Sequence, residues 1–297
     1  MFNNIEDQNK RGDEEPVCGG TTENFDPSAK REIVSDDVTY FAVESRYSSD
    51  PDDIAFISAF AAPAGNGCFV HSATSDGLWF EEIKTGFALI KDDVMKELAS
   101  FARRHSLAAE NGRHTFTHGL PENFGGSIDI RYASGEYISI SDNTAPVITG
   151  EAGAELAALF ADYCGREQVE LPDPEDIRSV VFYERRKDGG HTEARLELSA
   201  DGTGKNIKDS KYEPGSVYHS EKEVDAATVS SIKKIIKESA LFARALLPVK
   251  KYAGLSEKTL TFGFSDGSVL TVQSDSINPG GLPDGFFAIE LEMTVKH

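Results

Sequence analysis

A chain of 297 residues, 39% hydrophobic and 27% charged, has the composition of a soluble globular protein and the length for two ordinary domains. Thirty Lys and Arg against fifty Asp and Glu leave a net charge of −20, which disfavours nucleic-acid phosphates and anionic lipid as partners. No apolar run reaches the length of a membrane span, and the start, Met1-Phe2-Asn3-Asn4-Ile5, lacks a basic region followed by an apolar one. The expected location is therefore the cytoplasm.

Residues 1–32 are polar and poor in apolar side chains, and are expected to form a flexible arm. Arg11-Gly12-Asp13 within it spells an adhesion tripeptide, here read as chance. A first unit, 33–165, begins with four strands: Val38 to Arg46, Ile54 to Ala61, Cys68 to Ser72 and Leu78 to Lys84. Turns at Pro63–Gly67 and Asp76-Gly77 separate them, as in an antiparallel meander. A helix follows from Asp92 to Ala109, with carboxylates at its start, Arg103, Arg104 and His105 toward its end, and Asn111-Gly112 as its stop. Next come a hairpin turning at Ser134-Gly135 and a helix from Glu151 to Tyr163.

Leu171-Pro172-Asp173-Pro174 suits neither helix nor central strand, so 166–175 reads as a linker. The second unit, 176–297, opens with strands Arg178 to Lys187 and His191 to Ser199 and a weak strand at Val217 to Ser220. A helix from Asp225 to Leu247 stops at Pro248, and a hairpin spans Thr259 to Gln273. Phe286 to Val295 suits helix and strand equally.

The two hairpins match. Ile130 to Ile140 and Phe262 to Val272 share an apolar alternation broken by a Gly turn, Gly135 and Gly267 lie 132 positions apart, and Pro146 and Pro279 follow 133 apart. Upstream, Ile90, Met95, Leu98, Phe101 and Ala102 match Val224, Val229, Ile232, Ile235 and Ile236 at a constant offset of 134. Tyr40 to Arg46 can be laid on Val180 to Arg186 with an offset of 140. The expectation is an α+β fold of two tandem repeats, each an antiparallel sheet with one or two helices on one face. Over Ile128 to Phe160 and Leu260 to Phe287 the pattern resembles duplicated α+β domains of uncharacterised bacterial proteins, a resemblance that implies no activity.

Chemistry is sparse in the sequence. Cys18, Cys68 and Cys164 are far apart and form no CxxC pair, so neither a zinc cluster nor a disulfide framework is expected. His114 and His118, if extended, share a face but lie about 13 Å apart, too far for one metal ion. Gly202-Thr203-Gly204-Lys205 and Gly125-Gly126 lack the spacing of a phosphate loop and read as turns. Trp79, the single tryptophan, reads as a core or half-buried strand residue and not a ligand platform. No catalytic, cofactor-binding or metal-ligating residue is assigned, and no cofactor is expected. The reading favoured is a non-catalytic protein that binds another protein or a small ligand. The alternatives are an enzyme whose site, in one unit or at the cleft between units, joins His71, His105 or His114 to a carboxylate and a Cys or Ser, and an acidic mimic that blocks a basic partner.

Overall fold

A computed structural model describes residues 20–47, 55–76, 82–120, 125–186, 189–212, 215–239, 241–247, 257–273 and 284–294. The first part of the chain contains β1 (Thr21–Phe25), β2 (Val38–Arg46), β3 (Ala55–Ala64), β4 (Gly67–Asp76), β5 (Glu82–Ile90), α1 (Met95–Arg104), β6 (Arg113–Thr117), β7 (Gly126–Tyr132), β8 (Tyr137–Asp142) and α2 (Gly150–Gly165). The rest contains β9 (Ile177–Arg185), β10 (His191–Leu198), β11 (Gly204–Tyr212), β12 (Ser216–Val224), α3 (Ala226–Glu238), α4 (Leu241–Arg244), β13 (Glu257–Phe264), β14 (Val269–Gln273) and α5 (Asp284–Thr294). The fold is mixed α+β and mostly sheet. Eight strands run in the order β1-β6-β8-β7-β2-β3-β4-β5, and six in the order β12-β11-β10-β9-β13-β14. All neighbours are antiparallel except β6 and β8. Among the described residues no helix is long and apolar enough to cross a membrane.

Alternation along each strand sends one set of side chains to a helix-covered face. In β2, Phe41 and Val43 are buried, and in β7, Ile128 and Ile130 are buried opposite them. Helix α1 lies on β2 and β3, and α2 on β3, β4 and β5. Phe41 joins the sheet to both helices, its ring 6.2 Å from Phe101 of α1 and 6.3 Å from Phe160 of α2. The second sheet has its own core, in which Phe182 and Phe262 meet Phe286 of α5 and Phe242 of α4. Side-chain caps start two of the helices: Thr149 Oγ1 accepts from Ala152 N, and Asp225 Oδ1 from Thr228 N. A third apolar cluster joins the two parts, with Ala243 and Leu247 buried against Phe60, Ala62, Ala64, Phe69 and Leu89 on the face of the first sheet that α1 and α2 leave open.

Several expectations are corrected. Residues 21–25, assigned to a flexible arm, form β1 and pair with β6. The segment between β1 and β2 is pinned as well: Tyr137 Oη donates to Asp26 at 2.8 Å, and Glu136 accepts from Lys30 Nζ and Ser35 N, both at 3.0 Å. Ile90 and Val224, read as opening helical residues, end β5 and β12. The helix from Asp92 to Ala109 stops at Arg104, because Ser106 turns left-handed (φ 51°) before a 3-10 turn at Leu107–Glu110. The helix from Asp225 to Leu247 is two, α3 and α4. Strand β11 was not anticipated, and Phe286 to Val295, left open between helix and strand, contributes to the helix α5. Phe41 of β2 lies opposite the buried Ile130, and Val180 of β9 opposite the buried Phe262. Residues 167–169, within the expected linker, run along β5 through Lys91 N to Glu167 O and Val169 N to Leu89 O. The readings of Arg11-Gly12-Asp13, Cys18, Trp79, Pro248 and Pro279 lie outside the described residues.

The carboxylates that hold the segment before β2 give it an acid limit. Hydrogen bonds from Lys30 and Ser35 hold Glu136 down to about 2, and those from Ser28 and Tyr137 hold Asp26 below its usual value. A depressed carboxyl stabilises the fold above its ordinary value and ceases to as pH falls through the folded one. We therefore expect the amide resonances of β1 to move toward random-coil positions between pH 4.5 and 2. Unchanged positions down to pH 2 would show that these bonds do not hold the segment.

Candidate functional site

A row of polar side chains crosses the open face of the first sheet at right angles to its strands. Pairing places Asn24 (β1) beside His114 (β6), His114 beside Ser141 (β8), Ser141 beside Ser127 (β7), Ser127 beside Glu44 (β2) and Glu44 beside Ser58 (β3). Partners directly across a ladder share a face, so these groups point the same way. Five of the six line a cavity of about 470 Å3, and the rings of Phe56 and Phe116 stand among its walls.

The remaining lining residues divide by how they are bonded. Asp142 is nearly buried and fully engaged, accepting from Arg113, from Thr144 N and Oγ1, and from Ala145 N. Burial alone would raise its carboxyl, but these bonds outweigh it and hold the group below its usual value. Asn143 clips the end of β6, accepting from Thr117 N at 2.7 Å and donating to Thr117 O at 3.0 Å. Both therefore build the wall. Gly125 and Gly126, read as a turn, allow the start of β7 to approach its neighbours. A Cβ on Gly125 would lie 1.9 Å from Asp142 O and 2.6 Å from Ala145 O, and one on Gly126 would lie 2.5 Å from Glu44 O.

Glu44 is different. Its carboxylate makes no hydrogen bond or ion pair among the described residues. Glu44 is exposed at the mouth of the cavity, yet the protein packed on its other sides pushes its pKa above the usual carboxylate value. At the other end of the row His114 Nδ1 lies 2.9 Å from Ser141 Oγ. Three strand spacings separate His114 from Glu44, about 14 Å between Cα atoms.

The histidines named from sequence do not converge. His105 pairs with Glu155 at 2.7 Å, joining the end of α1 to α2, while His71 lies on β4. Only His114 reaches the cavity. Cys68 is buried 3.5 Å from Met95 Sδ, and burial, reinforced by Asp93, pushes its thiol up to about 12. Burial also raises Cys164. Neither is a ready thiolate at neutral pH. Thr203 is tied to Asp201, as befits a turn. Among the described residues no group of three or more His, Cys, Asp or Glu side chains could hold a metal ion. Glu44, Asn24 and Ser127 were not anticipated. A strand glutamate reads as ordinary solvent-facing surface, and Asn24 lay in the supposed arm.

No model of a known protein family matches the chain, and no curated protein matches it.

Proposed function

We propose that this chain is a non-catalytic binding protein built from two copies of one α+β unit, and that the first copy holds an organic cation beside Glu44. The observation that carries the second part is an exposed carboxylate, unpartnered among the described residues, at a cavity lined by the rings of Phe56 and Phe116. An ionised carboxylate in such surroundings gains most from a cation that it can pair with, and ring faces attract the same charge. A protonated amine or a quaternary ammonium group has this chemistry, as does a lysine or arginine side chain of a partner protein.

The duplication is supported by the order of elements. Leaving aside β1, β6 and α4, each half runs four strands, helix, hairpin and terminal helix, and each sheet orders its strands alike, β8-β7-β2-β3-β4-β5 against β14-β13-β9-β10-β11-β12. Buried positions agree too: Met95, Leu98 and Ala102 with Val229, Ile232 and Ile236; Ile128 and Ile130 with Leu260 and Phe262; Leu156 and Phe160 with Ile289 and Met293. The cavity belongs to the first copy alone. There β1 and β6 extend the sheet beyond β8, whereas β14 ends the second sheet. Tyr183 and Thr259, paired in the second sheet, stand where Glu44 and Ser127 do in the first.

The hydrogen bond between His114 Nδ1 and Ser141 Oγ is the one observation that favours an enzyme. It weighs less, because Glu44 is about 14 Å away and cannot orient that imidazole.

Calorimetric titration with phenethylamine, tetramethylammonium and the neutral 2-phenylethanol tests the reading. The two cations should bind saturably and the alcohol should not, and Glu44→Gln should weaken the cations at least tenfold. Because the Glu44 carboxyl is raised, affinity should fall with pH sooner than an ordinary carboxylate would allow. For the same reason Glu44→Gln should leave the protein as stable as before or stabilise it at neutral pH, by at most about 1 kcal/mol after solvent screening. Absence of saturable cation binding, or equal binding by Glu44→Gln, would sink the proposal.

A further inference from the structure

A second cavity, of about 270 Å3, lies on the helical side of the first sheet, between α1, the 3-10 turn that follows it and the segment before β2. Its floor is apolar, formed by Ala99 and Ala102 of α1, Ile138 of β8 and Ile33. Two groups reach it with hydrogen-bonding capacity to spare. Arg103, exposed at the rim, makes no hydrogen bond or ion pair among the described residues, and the hydroxyl of Tyr132, a residue only 5% exposed, makes no hydrogen bond among them either. That hydroxyl is not among the fully enclosed polar atoms without a partner, so it keeps contact with solvent where Tyr132 lines the cavity. Ser106, the only non-glycine residue with a positive φ among the described residues, makes the tight turn that folds Ala108 and Ala109 back as a wall. Such strain persists where the surroundings require it.

We infer that this cavity is a site for a small organic carboxylate. Among the described residues the Arg103 guanidinium and the Tyr132 hydroxyl are donors without acceptors, and a carboxylate is an acceptor only. The alanine and isoleucine floor takes an apolar body of about ten non-hydrogen atoms. Arg31 adds positive charge at the rim. Of the nearby carboxylates, Glu136 is already paired with Lys30, and Glu32 is exposed. In an acidic protein, a cavity served by two arginines stands apart from the rest of the surface. The second copy has Lys237 and Phe264 at the corresponding places, so it lacks both the planar fork and the hydroxyl.

Titration of the full chain with benzoate and hexanoate, followed by amide chemical shifts and calorimetry, tests the inference. Both should bind saturably, perturbing Ala99 and Ala102. Arg103→Gln should weaken them about tenfold or more, Arg103→Lys less, and Tyr132→Phe about three- to tenfold. Glu44→Gln, in the other cavity, should bind them as the parent does, which keeps the two sites distinguishable. Circular dichroism of each variant checks that it is folded. No saturable binding of either acid, or Arg103→Gln binding with parental affinity, overturns the proposal. Unchanged affinity in Tyr132→Phe overturns the part assigned to the hydroxyl.

Discussion

Gly125→Ala should destabilise the protein by about 3 kcal/mol and abolish cation binding, although it adds a single methyl group. The added carbon would lie 1.9 Å from Asp142 O and 2.6 Å from Ala145 O, both backbone atoms. Neither can move aside cheaply. Asp142 is tied down through its side chain by Arg113, Thr144 and Ala145, and Gly125 O accepts from Arg46 N at 3.1 Å. Relief would have to come from pulling β7 away from β8 or β2, and the strands that would part are those carrying Ser141, Ser127 and Glu44. Stability and binding should therefore fall together, unlike Glu44→Gln, which should lower binding alone. Gly165→Ala is the control: nothing lies within 4 Å of its Cβ, and it should change stability by less than about 0.5 kcal/mol. Urea unfolding midpoints decide the matter. Equal midpoints for Gly125→Ala and Gly165→Ala would mean that the close approach at β7 is not maintained in solution.

The elements that sequence reading found were those whose burial follows a simple period. The hairpins Ile130 to Ile140 and Phe262 to Val272 alternate cleanly, and α1 and α3 present their apolar residues at helical spacing. Errors arose where one period runs into another. Ile90 and Val224 are apolar strand ends that fall in phase with the helices behind them. The irregularity between Val38 and Tyr40 shifts the pairing of β2 by one place, and a slip of one residue exchanges the faces of a strand, so sequence spacing alone does not fix which side chains face inward. Strand β11 was missed because its inward face is polar. Asn206 Nδ2 donates to Met293 O and Lys208 Nζ to Thr294 O, so the strand caps the end of α5 instead of filling a core. The cavities were illegible for a different reason. Asn24, His114, Ser141, Ser127 and Glu44 come from five strands, and only the register of pairing puts them in one row.

Ala243→Asp should separate the unfolding of the two halves. Ala243 is 1% exposed and lies with Leu247 against Phe60, Ala62, Phe69 and Leu89, where the Phe60 ring meets Tyr40 at 5.5 Å and Phe69 at 5.9 Å. A carboxylate placed there would be charged, desolvated and surrounded by apolar groups, at a cost of about 3–5 kcal/mol. Each half keeps its own core, around Phe41, Phe101 and Phe160 in one and Phe182, Phe262 and Phe286 in the other. The cheapest response is thus to lift α4 from the first sheet and leave both cores intact. Calorimetry should then resolve two transitions where the parent shows one, and a hydrophobic dye should bind the uncovered face of β3 and β4. Phenethylamine affinity should survive, because Glu44 and Ser127 lie outside the α4 contact. A single transition at the parental temperature would show that α4 does not couple the halves. A single transition at a much lower temperature would show that neither core stands without the other.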